Sequence, residues 1–136
     1  NELNGTSTAL NMGLGKMVSK KKDSIGMVLS QREGLTSEDG LRLVGVRPVD
    51  PSKPLTAGSD CLGIGAAPVA ANDGGWLTSV VYSPHLGSSI ALGYLKNGHA
   101  RIGQKMRAVN LLAKTEVEVE IVSPHFFDPE GDRLRG

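Results

Sequence analysis

Two apolar runs near the middle of the chain, Trp76–Ser83 and Ser89–Leu95, are rich in β-branched and aromatic residues and are separated by a short turn sequence. Within that turn, Pro84 fixes its own φ at about −65° and removes a backbone donor. Gly87 supplies backbone freedom where the chain must reverse. Because so short a connection joins antiparallel neighbours, the two runs predict a β-hairpin.

Further segments also have the composition or the period-two alternation of strands. The clearest is Thr115–Val122, where three glutamates alternate with Val117, Val119 and Ile121, as in an antiparallel strand with one buried face. The other candidates are Leu41–Arg47, Ser59–Ala66, Ala67–Ala71 and Gln104–Val109. Since no helix intervenes between these strands, the chain cannot form βαβ units, and we expect a mostly β fold, a small antiparallel barrel or sandwich.

The first forty residues have a different character. Asn1–Gly15 has the composition of a loop, although Leu10, Met12 and Leu14 alternate as in a short strand. Asp23 is a candidate N-cap for a short helix over Ser24–Gln31, and Glu33–Gly40 has the composition of a linker. The alternating positions predict a core that contains Leu43, Val46, Leu77, Val80, Ile90, Leu92, Val117, Val119 and Ile121.

Size and charge exclude several classes of protein. A chain of 136 residues suffices for a single core, and a net charge of +1 lacks the basic excess of a nucleic-acid binder. The only basic run, Lys20–Lys22, fits a solvated surface or a contact with an anion. One cysteine, Cys61, allows no internal disulfide and fits a cytoplasmic protein. No apolar stretch approaches the roughly 20 residues that span a bilayer, so no membrane partner is expected.

No arrangement of residues indicates a catalytic centre. His85, His99 and His125 lie in or near predicted turns without the spacing of metal ligands, so no metal site is predicted. Ser83 and His85 are sequence neighbours in a turn and lack the nucleophile-elbow pattern. The chain opens on a polar segment without an initiator methionine, and we expect it to be a piece of a longer polypeptide.

The order of several motifs resembles the folate-dependent aminomethyltransferase family, which includes the glycine cleavage T-protein. The shared motifs are Gly13-Leu14-Gly15, Gly75-Trp76-Leu77-Thr78-Ser79, Ser83-Pro84-His85-Leu86-Gly87 and Ile90-Ala91-Leu92-Gly93. The ending, Asp128-Pro129-Glu130-Gly131-Asp132-Arg133-Leu134, is similar to that of the α subunits of sarcosine oxidases. The resemblance implies that residues 1–40 close a folate-binding core and continue into a linker, and that residues 41–136 form the family's C-terminal β-barrel.

For function, the resemblance implies a heterotetrameric flavoenzyme that demethylates sarcosine oxidatively and transfers the one-carbon unit to tetrahydrofolate. NAD, FAD and FMN belong to the full complex, and this chain holds at most part of a tetrahydrofolate site. The expected partners are the upstream folate-binding core of the same chain and the other sarcosine oxidase subunits. Because the family's catalytic residues lie upstream, we expect none in this chain and no activity of the chain alone.

Two positions depart from the family pattern. Lys16 stands where the family commonly has tryptophan, and Ser24 stands where it commonly has phenylalanine. Lys16 is the one candidate for a folate-proximal residue, since its ammonium group can meet a carboxylate of the glutamate tail, although a solvated lysine explains the residue better. The alternatives for the whole chain are the C-terminal domain of a glycine cleavage T-protein or a dimethylglycine dehydrogenase, or a non-catalytic protein-interaction barrel.

Overall fold

The computed structural model describes residues 2–3, 5–19 and 21–136, without the side chain of residue 134. Its centre is a closed antiparallel barrel of six strands in the order β1-β4-β3-β2-β5-β6. The strands are β1 Leu41–Pro48, β2 Asp60–Leu62, β3 Asp73–Ser83, β4 Ser88–Lys96, β5 Lys105–Asn110 and β6 Thr115–Val122. The predicted mostly β fold and the small antiparallel barrel are confirmed.

Helices are short and lie outside the barrel. They are α1 Met27–Ser30, α2 Glu33–Thr36 and α3 Asp132–Arg135, with 3-10 turns at Gly15–Met17, Ala70–Asn72 and Gly98–Arg101. None of the helices in the described part of the chain is long and apolar enough to cross a membrane.

The N-terminal helix is shorter than predicted. It begins at Met27 and not after an N-cap at Asp23, because Gly26 takes a left-handed conformation with φ 85 directly before it. The segment Glu33–Gly40, predicted as a linker, contains α2. The Arg42 side chain, on β1, donates to the Ser37 carbonyl oxygen at the end of α2 at 2.7 Å and so joins this helix to the barrel.

Two predicted strands are wrong, and one is shortened. The alternation of Leu10, Met12 and Leu14 falls in consecutive turns, where Leu14 N donates to Ala9 O at 2.8 Å and local bonds replace a ladder. Of the predicted loop that contains them, Asn1 and Asn4 lie outside the described residues, as does Lys20 of the basic run. Ala67–Ala71 contains a local turn and the start of a 3-10 turn, and Ser59–Ala66 forms a strand only at Asp60–Leu62.

The barrel interior is filled by one cluster of apolar side chains: Val44, Val46, Leu55, Cys61, Leu77, Ala91, Leu95, Met106, Ala108, Val119 and Ile121, with Val80 and Val117 packed against it. Leu43, Ile90 and Leu92 were predicted for this core but lie outside the cluster; of the three, Leu43 is buried, as predicted, and the other two are half-buried. Their register places Leu43 beside Tyr94 and Leu92 beside Gly45, on the face opposite to that of Val44 and Ala91. Both faces of β1 and β4 are apolar, so alternation alone cannot choose the inner one.

A β-bulge in β3 sets which side chains enter the barrel. Leu77 pairs with Gly93, whereas Ser79 pairs with Leu92, so Thr78 is the extra residue. Leu77 and Val80 are three positions apart, and a regular strand would point them to opposite faces. The bulge returns both to the interior. The Thr78 hydroxyl donates to the Leu92 carbonyl oxygen at 3.0 Å, which satisfies a group that is buried.

The opposite wall of the barrel carries cross-strand ion pairs. Arg47 Nη2 lies 2.8 Å from Glu120 Oε2, Lys105 Nζ lies 3.6 Å from Glu118 Oε1, and Arg107 Nη1 lies 2.5 Å from Glu116 Oε1. The glutamates of β6 therefore face solvent, as their alternation with valine predicts. Exposed pairs of this kind add up to about 1 kcal/mol each, so they mark the wet face of the barrel more than they stabilise it.

Two glycines with positive φ allow the cost of backbone strain to be measured separately from the cost of a steric clash. Gly75 has φ 144, and a Cβ there meets the Tyr94 carbonyl oxygen and lies 2.8 Å from Leu95 Cα. Gly87 has φ 62 with open space around it. We expect Gly87→Ala to lower the free energy of unfolding by about 1–2 kcal/mol through strain alone. Gly75→Ala should cost clearly more, because the β3–β4 pairing must separate locally.

Urea denaturation of the two variants and the parent measures both costs, and Gly87→Ala serves as the matched control. Equal losses in the two variants would show that the β3–β4 contact at Gly75 relaxes freely.

Candidate functional site

The N-terminal segment is held against the outer wall of the barrel by Asn11. Its backbone oxygen accepts from Leu43 N at 2.7 Å, and its side-chain Nδ2 donates to Leu41 O at 2.8 Å. The remaining amide oxygen, Oδ1, accepts from the backbone N and the hydroxyl of Thr8 at 2.9 and 2.7 Å. One buried amide thus orders the turn that contains it and joins that turn to the first residues of β1.

A second attachment is made by Glu2. Its backbone oxygen accepts the Tyr94 phenol at 2.7 Å, and its carboxylate Oε1 accepts the Ser79 hydroxyl at 2.8 Å. Hydrogen bonds from the Thr78 and Ser79 hydroxyls lower the pKa of Glu2 from 4.5 to about 2, against a smaller opposing effect of burial. The Thr78 hydroxyl also donates to the Leu92 carbonyl oxygen, so its single proton is shared between that oxygen and the Glu2 carboxylate. The Ser79 hydroxyl therefore makes the stronger hydrogen bond to Glu2.

An open cleft of about 320 Å³ lies between this N-terminal segment, α2 and the barrel wall. Trp76 and Tyr94 form its aromatic side, with ring centroids 6.2 Å apart and planes inclined at 55°. Lys96 stands at the rim and donates to the Asp73 carbonyl oxygen at 3.0 Å. Leu35 and Asp39 contribute from the other side. An indole that is 38% exposed beside a cation can hold a flat group that carries a negative charge.

A larger hollow of about 660 Å³ lies within the N-terminal segment itself. Leu10, Val18, Ile25 and Met27 give it apolar walls, and Ser24 adds a hydroxyl. Around it the segment exposes many large apolar side chains: Leu3, Leu10, Leu14, Met17, Val18, Ile25, Val28 and Leu29. Exposed apolar patches of this kind are typical of surfaces that bind another protein, a membrane or a ligand.

The candidate folate-proximal residue Lys16 is exposed in the 3-10 turn Gly15–Met17. Its neighbour Gly15 lines the larger hollow, as does Ser24, the second position that departs from the family pattern. Lys16 itself is not among the residues that line the hollow. Its role toward folate stays a prediction.

On the far side of the molecule, the C-terminal segment crosses the outer wall where β1 has Gly45. A Cβ at that position meets the Ser123 carbonyl oxygen and lies 2.8 Å from Phe126 Cζ, so only glycine permits the crossing. Phe127 packs edge-on against His85 at 4.7 Å between ring centroids, and the Arg133 guanidinium lies 4.6 Å from the centre of the Phe127 ring. These contacts fasten the tail to the turn between β3 and β4.

The other chemically active residues do not assemble. Among the described residues no three His, Cys, Asp or Glu side chains are grouped as metal ligands. The Ser83 hydroxyl accepts from Leu86 N at 3.3 Å, which is a turn contact and not the activation of a nucleophile. Cys61 is buried in the core, and desolvation, reinforced by the Asp73 and Asp60 carboxylates, raises its pKa to about 12. A thiol in that state is not a nucleophile at neutral pH.

Sequence reasoning missed both attachments of the N-terminal segment and the aromatic cleft. The cleft had a signal, because the strand pattern places Trp76 and Tyr94 on neighbouring strands, but the bulge that fixes their register leaves no mark in composition. Asn11 and Glu2 had none, since a polar residue that bonds a distant backbone group looks like any loop residue.

Residues 42–128 match the family of the glycine cleavage T-protein C-terminal barrel domain. The match spans more than half of the chain and contains all six strands except the first residue of β1. The chain belongs to this family.

Within the curated proteins, the chain is similar to sarcosine oxidase α subunits. It is 44% identical over 98% of its length to sarcosine oxidase subunit alpha of Rhizobium meliloti (strain 1021). It is 36% identical over 99% of its length to sarcosine oxidase subunit alpha of Corynebacterium sp. (strain U-96). The chain spans 14% of the length of each of these relatives.

A solved structure has the same fold. The aminomethyltransferase T of the glycine cleavage system from Bartonella henselae superposes with a TM-score of 0.67 at 17% identity. The superposition covers 94% of this chain and 34% of that one. At this identity the likeness concerns the fold alone, and it extends beyond the barrel into the N-terminal segment.

The depressed pKa of Glu2 predicts an acid-labile attachment. Since the folded-state pKa is below the ordinary value of 4.5, the stabilisation is complete above about pH 4.5 and is lost as pH falls toward about 2. We expect Glu2→Gln to lower the urea midpoint at pH 6 and to have a smaller effect at pH 2.5. Glu130→Gln, in the exposed tail, is the control. A Glu2→Gln difference that is the same at both pH values would contradict the assignment.

Proposed function

We propose that this chain is the C-terminal region of a sarcosine oxidase α subunit. The observation that carries the proposal is the 44% identity over 98% of the chain to a protein of that name. In the full enzyme, sarcosine, oxygen and tetrahydrofolate give glycine, hydrogen peroxide and methylenetetrahydrofolate. In that reaction the methyl carbon of sarcosine would be oxidised by two electrons, and its bond to the glycine nitrogen would break as it bonds to the two folate nitrogens. Oxygen would take up the two electrons and two protons to give hydrogen peroxide, and the flavin of the full complex would supply the redox chemistry.

The chain's own part in this reaction is to shape a folate site and not to perform chemistry. The only cysteine is held as a thiol in the core, and the turn that contains Ser83 and His85 is occupied by structural contacts. Tetrahydrofolate is therefore the only cofactor that we assign, in part, to this chain. NAD, FAD and FMN are assigned to other regions of the complex.

The exposed apolar side chains of the N-terminal segment support a folate-binding core as the partner that covers it. At about 25 cal/mol per Å², covering even a few side chains such as Met17, Ile25 and Val28 contributes several kcal/mol of favourable burial, from which the costs of ordering the contact are subtracted. Asn11 and Glu2 fix this surface relative to the barrel. The barrel would thus be held against the core through a segment that belongs to both, and other subunits of the oxidase would contact the remaining surface.

Two alternative functions rest on the same barrel. A glycine cleavage T-protein or a dimethylglycine dehydrogenase would share the fold, but the T-protein structure is only 17% identical to this chain. A non-catalytic interaction barrel would use the same exposed apolar surface. Such a barrel would differ from the sarcosine oxidase region in one respect: the longer protein that contains it would bind no folate.

The first test compares the isolated chain with the complete enzyme. Calorimetry of the purified chain with tetrahydrofolate should show no micromolar binding, because the clefts seen here are open and would leave most of the ligand in water. The same chain should give no sarcosine-dependent peroxide, whereas the complete α subunit assembled with its partners should give it. Turnover by the chain alone that survives repurification would overturn the proposal.

A second test concerns Lys16 in the complete α subunit. If its ammonium group meets the glutamate tail as an exposed ion pair, Lys16→Ala should weaken binding of tetrahydrofolate by about 2–5-fold. An analogue without the glutamate tail should bind both proteins equally. Lys53→Ala, in the exposed turn after β1, is the control and should change neither affinity. Equal weakening for both ligands would mean that Lys16 acts on the fold and not on the tail.

A further inference from the structure

The carbonyl oxygen of Leu41, at the start of β1, accepts hydrogen bonds from two buried side chains. Asn11 Nδ2 donates to it at 2.8 Å, and Arg42 Nη1 donates to it at 3.0 Å. Both residues are only 7% exposed. Arg42 Nη2 also donates to the Ser37 carbonyl oxygen at 2.7 Å, directly after α2. This oxygen with the side chains of Asn11 and Arg42, the Leu41 junction, therefore joins both the N-terminal turn and α2 to the barrel.

The polar side chains of the junction fix a direction as well as a contact. Apolar side chains at positions 11 and 42 would also be buried, but hydrophobic contacts are non-directional. Hydrogen bonds weaken steeply away from a straight donor angle, and a buried polar group that loses its partner is costly. The junction therefore sets the orientation in which the N-terminal turn and α2 leave the barrel.

Both elements held by the junction contribute to the larger hollow of about 660 Å³. Local backbone bonds connect the N-terminal turn to the residues after it: Leu14 N donates to Ala9 O at 2.8 Å, and Val18 N donates to Gly15 O at 3.3 Å. Ala9, Gly15 and Val18 line the hollow, and α2 contributes Thr36. A displacement at the junction would therefore move two parts of the hollow's wall relative to the barrel.

We propose that Asn11 and Arg42 are positioning residues for tetrahydrofolate, an inference that rests on the proposed function. The hollow fits such a role, since small-molecule sites enclose about 300–1,000 Å³ and combine apolar walls with a few polar groups. Neither side chain lines the hollow, so both act through the backbone that they hold. A weaker junction lowers the fraction of molecules with both parts of the wall in place, and the apparent affinity falls with that fraction.

Asn11→Asp tests the junction with little change of shape. It replaces the amide group that donates to Leu41 O by a carboxylate oxygen, which cannot donate when ionised. Calorimetry of the oxidase assembled with the complete variant α subunit should show tetrahydrofolate binding about tenfold weaker, the order expected for one lost buried hydrogen bond.

Asn72→Asp is the matched control. Asn72 Nδ2 donates to the Ala67 carbonyl oxygen at 2.9 Å, but Asn72 is an exposed residue of the 3-10 turn before β3. The same chemical change at this position should leave the affinity for tetrahydrofolate unchanged.

A second readout separates positioning from general damage to the fold. Without folate, water can take up the one-carbon unit, so that sarcosine, oxygen and water give glycine, formaldehyde and hydrogen peroxide. The rate of this folate-independent peroxide formation should be unchanged in Asn11→Asp. Arg42→Met removes the other donors of the junction, and the double variant should weaken folate binding by less than the product of the two single effects.

The outcomes distinguish this inference from the proposed function. A parent oxidase that forms no peroxide from sarcosine would overturn both. A parent that forms peroxide, with an Asn11→Asp variant that binds tetrahydrofolate as tightly, would overturn the inference alone. Equal losses of folate affinity and of peroxide formation would also overturn it, because they would show that the junction serves only the fold. Single effects that multiply in the double variant would contradict a shared junction.

Discussion

The ladder between β3 and β4 is the constraint on which the other parts of the structure depend. It is the longest pairing in the barrel, and its bulge at Thr78 decides that Leu77 and Val80 both enter the core. The same register places Trp76 beside Tyr94 on the outside, where Tyr94 and Ser79 receive Glu2. A shift of one residue would turn Leu77 outward and remove the bonds that hold the N-terminal segment. The core, the aromatic cleft and the attachment of the N-terminal segment therefore all depend on the same β3–β4 register.

The outer surface of the barrel divides into two regions of different character. Across β1, β6 and β5, arginine and lysine alternate with glutamate, and the charges neutralise each other within the chain. Across β1, β4 and β3, most outward residues are apolar and are covered in part by the N-terminal and C-terminal segments. The charged wall pairs its charges within the chain, whereas the apolar one adjoins the N-terminal segment, whose side chains around α1 are exposed.

The strands could be read from the sequence because alternation and turn residues are local signals. Thr115–Val122 was predicted with its observed bounds, and the hairpin Trp76–Leu95 within a few residues. Which face of β1 and β4 points inward could not be read, because Leu43 and Leu92 are as apolar as Val44 and Ala91. The helix after Asp23 failed for a local reason, the left-handed Gly26. The contacts of Asn11 and Glu2 join residues distant in sequence, and a single sequence carries no record of such pairs.

The buried thiol of Cys61 can report the opening of β2, the shortest strand of the barrel. It lies on β2, which has 3 residues and joins β3 to β5. A thiol so deeply buried reacts with a reagent only when the wall around it opens, and it is the chain's single cysteine. The rate of its modification, compared with that of an unfolded thiol, reports the free energy of that opening. A closed sheet has no free end from which to unravel, so the opening of this short strand is the step by which the whole cylinder would first become a flat ribbon.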